Sequence, residues 1–277
     1  MMRTPVLALE RSGELLDRLR VERPLVQCLT NTVTTNFVAN VLLATGASPA
    51  MVDIPVEASA MARSAGAVLV NLGTPRAEQR DAMAEAAAAA YDAGTPWVLD
   101  PVGVGALPVR TTLAERLLGL RPSVIRGNAS EIRALAGHGA GAQGVDAQHG
   151  VDEAREAATA LALTTGAVVA VSGPVDLITD GSACVRVANG SPLFAAVTGA
   201  GCALGGVVAA FLAVGDDVLT ATTAACLVYA VAGEVAGDAA GQAPPGVAPG
   251  PGSFAVRLLD ALAAIDAAQL EARARVS

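Results

Sequence analysis

Four glycines surround Cys202 in the stretch Val197-Thr198-Gly199-Ala200-Gly201-Cys202-Ala203-Leu204-Gly205-Gly206, which opens onto an apolar run through Val207, Val208, Phe211 and Leu212. A glycine-rich turn ahead of a helix brings backbone close to a ligand, and the first helical N–H groups have no internal partner. Such a turn binds anions, with phosphate the natural candidate. The competing explanation is a turn packed tightly for steric reasons. Cys202 stands at the helix mouth, where a thiol pKa tends to fall. Asp100 closes the apolar run Trp97-Val98-Leu99-Asp100. A carboxylate there is costly to bury unless it is paired or near a metal, though it could instead cap the following turn. Arg126 can grip phosphate bidentately, or pair with a neighbouring helix. In Asn128-Ala129-Ser130-Glu131, Glu131 completes a capping box, and the same carboxylate can hold a Mg²⁺-bound water. Ser172 adds a hydroxyl. An acid, an arginine, a hydroxyl and an anion turn together suit phosphoryl transfer.

These residues need elements to position them. Apolar periodicity predicts helices over 5–20, 34–44, 57–64, 75–93, 109–118, 128–135 and 152–164, interleaved with strands over 24–29, 49–52, 67–71, 97–100, 123–126 and 167–172. Short antiparallel strands are expected at 177–179, 183–188 and 193–196, because Asp180-Gly181 and Asn189-Gly190 are hairpin signals. Helices over 202–213, 217–236 and 253–267 follow, with a fraying charged end. Glycine-rich 138–150, holding His138, Asp146 and His149, and Pro/Gly-rich 238–252 read as loops. No role is assigned to those three side chains. Repeated β-α units predict an α/β fold, mostly parallel, with helices on both faces and one domain over 1–277. Ligands then gather at the carboxyl ends of the strands, where Asn31, Met51, Asn71, Asp100, Arg126, Ser172 and Thr198 stand.

Composition narrows the function. The chain has 277 residues, 53% hydrophobic and only 3% aromatic, so its core must be built from Ala, Val and Leu. A formal net charge of −8, without a basic block, argues against nucleic acid as a partner. Four separated cysteines and two histidines make a zinc site improbable. Cys28, Cys184 and Cys226 read as structural. No membrane-spanning run is expected, and a cytoplasmic setting with reduced thiols fits.

Several segments, in order and spacing, resemble the hydroxyethylthiazole kinase family of the ribokinase-like superfamily. They include Cys28-Leu29-Thr30-Asn31, Gly46-Ala47-Ser48-Pro49-Ala50-Met51, Asn71-Leu72-Gly73-Thr74, Leu99-Asp100-Pro101-Val102-Gly103, Arg126–Ile132, Val171–Asp176, Val197–Cys202 and Gly250–Phe254. The resemblance implies a three-layer ribokinase-like fold. It implies ATP-dependent phosphorylation of the alcohol of 4-methyl-5-(2-hydroxyethyl)thiazole in thiamine salvage, with Mg²⁺, by a homotrimer with sites between subunits. It assigns Met51 and Gly199 to the thiazole, Arg126 and Ser172 to ATP, Asp100 and Glu131 to Mg²⁺, and Cys202 to catalysis where most of the superfamily has aspartate. Gln27 departs from the histidine common in relatives; if it faces the thiazole, substrate preference changes. With so few aromatics, no stacking shelf for adenine is evident. The rival readings are another kinase of the superfamily, such as an aminopyrimidine kinase, and a non-catalytic sensor of thiazole or nucleotide.

Overall fold

A computed structural model of the chain describes residues 3–137, 150–238 and 250–277. Among the described residues eight strands form one sheet: β1 (Leu25–Leu29), β2 (Ser48–Ala50), β3 (Ala67–Asn71), β4 (Trp97–Asp100), β5 (Val124–Asn128), β6 (Val168–Ser172), β7 (Asp176–Thr179) and β8 (Cys184–Val187). Their order is β2-β1-β3-β4-β5-β6-β7-β8. The pairs from β2 to β6 are parallel, and β7 and β8 are antiparallel. Asp180 Oδ1 builds the β7–β8 turn by accepting from the N–H groups of Ser182 and Ala183.

Helices cover both faces, which is why β3 is buried at every position. On one face lie α1 (Arg3–Glu22), α2 (Thr35–Thr45), α8 (Ala200–Leu212), α9 (Val218–Asp238), α10 (Pro251–Ala264) and α11 (Ala267–Arg273). On the other lie α3 (Glu57–Ser64), α4 (Ala77–Ala93), α5 (Pro108–Leu118), α6 (Ala129–Leu135) and α7 (Gly150–Thr165). Strand residues alternate between the two cores: Ala67 and Leu69 join the first, Val68 and Val70 the second. The α9 helix is long and apolar enough to cross a bilayer, but 83% of its most apolar window is buried in this core.

Two expectations are corrected. Residues 193–196 are not a strand. Pro192–Ala196 is a 3-10 helix, started by Pro192 and by the Ser191 hydroxyl, which accepts from the Leu193 N–H. The charged end does not fray. Asp266 and Gln269 make a reciprocal capping box that starts α11, and Val276 then bridges Val187. His138, Asp146, His149 and most of the Pro/Gly loop lie outside the described residues.

Candidate active site

Strand parity sets the site. Val98, Val124 and Ala170 face the α8–α9 core, so Asp100, Arg126 and Ser172, each two residues further on, point the same way at the carboxyl edge. Asn71 follows Leu69 by the same rule and pairs in register with Asp100. A continuous polar row results. Asn31 Nδ2 donates to Cys202 Sγ at 3.3 Å and to Asn71 Oδ1 at 3.2 Å, and Asn71 Nδ2 donates to Asp100 Oδ2 at 2.7 Å. Arg126 Nη1 lies 3.7 Å from Asp100 Oδ2, while its Nε and Nη2 donate to Ser172 Oγ at 3.1 and 2.7 Å. Both amide orientations are set by backbone: the Thr34 N–H donates to Asn31 Oδ1 at 3.1 Å, and the Gly73 N–H to Asn71 Oδ1 at 3.0 Å.

Helix α8 comes down on this row with its N-terminus first. Gly199 is its N-cap at φ 94°, and a Cβ there would lie 3.0 Å from Thr34. Conformation and close approach both call for glycine. One turn apart, Gly201 sits over the Arg126 guanidinium and Gly205 over Asp100, where added Cβ atoms would meet Nη1 and Oδ2 at 3.3 Å. The small residues let the helix end, with the unpaired N–H groups of its first turn, reach the charged pair. Tyr229 Oη donates to the Ala200 carbonyl at 2.8 Å and holds the turn from below.

The electrostatics follow from enclosure. Burial pushes the Asp100 carboxyl up to about 7; Arg126 opposes that rise, Glu131 adds to it, and the Asn71 amide opposes it. Burial works against the Arg126 charge, but Asp100, Asp176 and Glu131 outweigh it and keep the guanidinium protonated. The Cys202 thiol is raised, not lowered as its place at a helix N-terminus suggests. Burial and the Asp100 carboxylate outweigh the opposing Asn71, Asn31 and Thr34 dipoles. Cys28 and Cys226 are buried in the core, and burial drives the Cys28 thiol to about 12.

Asp100 Oδ1 is buried without a hydrogen-bond partner, so one carboxylate oxygen is available to a cation. Glu131 is different. Its Oε1 accepts from the Gly103 N–H and its Oε2 from the Asn128 N–H, both at 2.9 Å, so the carboxylate is held by backbone and suits a water-mediated contact with an ion. Among the described residues no three His, Cys, Asp or Glu side chains cluster to hold a metal unaided. A Mg²⁺ held by one carboxylate and by substrate phosphates fits this donor set.

Beyond Arg126 a cavity of about 500 Å³ opens, lined among others by Ser172, Asp176, Phe194, Leu204 and Tyr229. Two of the few aromatics therefore stand where none was anticipated, stacked with centroids 5.0 Å apart. Asp176 was also missed. Burial raises its carboxyl to about 6 against the Gly173 N–H and Arg126. Its sequence signal was an acid two residues past the Gly173-Pro174 turn. Met51 lies at the other end of the row, one residue past edge strand β2 and partly packed on the α8–α9 core. From β2 to β5 there are four strand spacings, roughly 19 Å. Gln27 does not face this space. It is fully buried on the opposite side of the sheet, and its Nε2 donates to the carbonyls of Val52 and Ala58. It tethers the segment after Met51 from beneath.

A helix N-terminus over a carboxylate–guanidinium pair, on a parallel edge beside a deep cavity, is the arrangement of a ribokinase-like kinase. Solved structures share the fold: a Bacillus subtilis pyridoxal kinase, determined as an ADP complex, superposes with a TM-score of 0.56 at 18% identity over 76% of this chain and 91% of that one. Within that class the chain belongs to the hydroxyethylthiazole kinase family, whose model matches residues 16–268. It is 58% identical to hydroxyethylthiazole kinase of Clavibacter sepedonicus over 92% of this chain and 90% of that protein. Against the enzyme of Rhizobium etli it is 51% identical over 95% and 99%. The structure of the Pyrococcus horikoshii OT3 hydroxyethylthiazole kinase matches with a TM-score of 0.87 at 38% identity, covering 97% of this chain and 98% of that one.

Proposed function

We propose that residues 1–277 act as one kinase domain that divides its carboxyl edge between alcohol and nucleotide. The enzyme phosphorylates the alcohol of 4-methyl-5-(2-hydroxyethyl)thiazole, in thiamine salvage, using ATP. The thiazole sits between Met51 and Gly199, with its hydroxyl turned to Cys202. Two strand spacings, roughly 10 Å, separate the Met51 strand from the Asn71 strand, room for one heterocycle with a two-carbon arm. ATP lies along Arg126 and Ser172 with its base in the cavity toward Phe194 and Tyr229. The observation that carries this reading is the seating of α8, with Gly201 on Arg126 and Gly205 on Asp100. It aims a helix N-terminus at the point where alcohol and phosphate must meet.

The N–H groups of Gly201 and Cys202 and the Arg126 guanidinium then face the charge that spreads over the transferring phosphoryl. Cys202, a raised thiol whose sulfur accepts from Asn31, orients the substrate hydroxyl and stays protonated at neutral pH. A loose phosphoryl-transfer transition state asks little of a base. Asp100 Oδ1 would hold Mg²⁺, with Glu131 contributing through water. When bound, the ion neutralises phosphate charge.

Exposed Val33, Ile54 and Val56 flank the Met51 end, and covering them is the task of neighbouring subunits in a homotrimer. Four free cysteines suit residence in the cytoplasm. A coupled assay of ADP release, with hydroxyethylthiazole and an aminopyrimidine alcohol as rival substrates, tests the reading. Turnover with the thiazole alone is expected. Preference for the aminopyrimidine, or no turnover with either, would overturn it. Light scattering on the eluting enzyme should give the mass of three chains; a fully active monomer would remove the shared-site assignment.

A further inference from the structure

The cavity beside Arg126 has one wall that its own strand does not hold. Residues 188–191 leave β8, line the cavity, and lead through the 3-10 helix into the anion turn. Asn189 in this wall is 5% exposed. Its Nδ2 donates to both carboxylate oxygens of Glu234 at 3.1 Å and to the Arg273 carbonyl at 2.8 Å, and its Oδ1 accepts from the Arg275 N–H at 2.7 Å. The Gly190 N–H donates to Glu234 Oε1 at 3.1 Å. The Arg275 guanidinium donates to the Ala188 carbonyl at 3.1 and 2.8 Å and also pairs with Glu234. Backbone reinforces the grip: the Arg186 N–H donates to the Ser277 carbonyl at 2.7 Å and the Ala188 N–H to the Arg275 carbonyl at 2.9 Å.

Two features tie this clasp to the ligand. Asn189 lines the cavity, yet its amide nitrogen and oxygen are both engaged in the clasp, so it serves as a fixed surface for whatever lies against it. The Glu234 side chain, 11% exposed behind that wall, is neutralised by Arg275. Without Arg275 a carboxylate would stand behind the cavity meant for a polyanion, and the wall would lose its outer support.

We infer that Glu234 and Arg275, acting through Asn189, are positioning residues for the nucleotide. They set the wall at residues 188–191 and shield its charge, so that ATP binds with its phosphates at the anion turn. The inference rests on reading the cavity as the nucleotide site.

The test is steady-state kinetics on Arg275→Ala, Arg275→Lys, Glu234→Gln and the Arg275→Ala/Glu234→Gln double variant, with Arg126→Ala as the cavity control. Arg275→Ala is expected to raise the ATP KM about fivefold, leaving kcat and the thiazole KM within about twofold. Arg275→Lys should restore most of the loss. The double variant should be no worse than Arg275→Ala alone, since both changes break one clasp. Should Arg275→Ala fold poorly, Glu234→Gln leaves one acceptor oxygen where Asn189 and the Gly190 N–H use two, and no bare charge behind the wall; the loosened wall must by itself raise the ATP KM and reduce the ADP-induced rise in melting temperature. A lower melting temperature with an unchanged ATP KM would make the clasp merely structural and overturn the inference. If Arg126→Ala raises the ATP KM and the clasp variants do not, the inference alone fails. If none of them moves it, the cavity reading falls and takes the inference with it.

Discussion

The two ends of the carboxyl edge are built from different materials. From β2 to β3 the row carries a thioether and amides, Met51, Asn31 and Asn71, and none of these side chains is charged. From β4 to β7 it carries Asp100, Arg126 and Asp176, all ionisable, with the Ser172 hydroxyl among them. The helix end of α8 spans the boundary, with Cys202 on the neutral side and Gly201 on the charged side. An alcohol needs orientation and exclusion of water, which fixed dipoles supply. A polyphosphate needs charge compensation, which ions and the helix N-terminus supply. On the proposed assignment the chemistry falls at the seam, and each half should fail in its own kinetic parameter when altered.

The largest effect is expected at the seam's carboxylate. Asp100→Asn removes the charge but keeps the shape, and should lower kcat by roughly 10²-fold. A loss under about fivefold in a folded protein would mean that Asp100 is a structural partner of Asn71 and Arg126 only. Next comes Arg126→Ala, which should raise the ATP KM by about tenfold or more and leave the thiazole KM nearly unchanged. An unchanged ATP KM would erase the charged half of the comparison. On the neutral side the effects are smaller. Cys202→Ala should lower kcat by only about tenfold, the modest worth of an orienting group, whereas Cys202→Asp should keep or raise activity. A well-folded but dead Cys202→Asp enzyme would show that the sulfur does more than orient.

The smallest effect is one of stability. Asp176 has a folded pKa of about 6, above the 3.8 of the free carboxyl. Between those values the folded state holds the extra proton, so unfolding free energy from this group falls as pH rises through the window and is lowest above it. Asp176→Asn should therefore gain stability relative to the parent as pH rises from 4 to 7, by roughly 2 kcal/mol. Paired thermal melts across that range check the sign; a parallel pair of curves would place Asp176 in an ordinary solvated setting.

Much of this was readable from residue order. The parity that turns Asp100, Arg126 and Ser172 to one face is a two-residue period, and the anion turn announces itself by its glycines. Local signals also mark the two elements that differ from expectation. Ser191-Pro192 marks a helical start, and Asp266 with Gln269 is a capping box as plain as that of Asn128 and Glu131. What could not be read was long-range. The Asn189–Arg275 bond joins residues 86 apart, and the amide bridge from Asn31 to Asn71 spans 40. Partners at such separations follow from tertiary packing and leave no periodic trace. The Cys202 thiol is the subtler case. Its helix position argued for a lowered pKa, but depth of burial and a neighbouring carboxylate are properties of the assembled site.

The orientation of the amides in the Asn31–Asn71 row has a consequence for evolvability. Because backbone N–H groups occupy both amide oxygens, each side-chain NH₂ is forced outward, one toward position 202 and one toward position 100. The row therefore has polarity, and it can be terminated only by atoms that accept. Sulfur, hydroxyl and carboxylate qualify, and ammonium does not. The scaffold thus admits a short alphabet at position 202, in which cysteine and aspartate are both letters and lysine is not a letter at all.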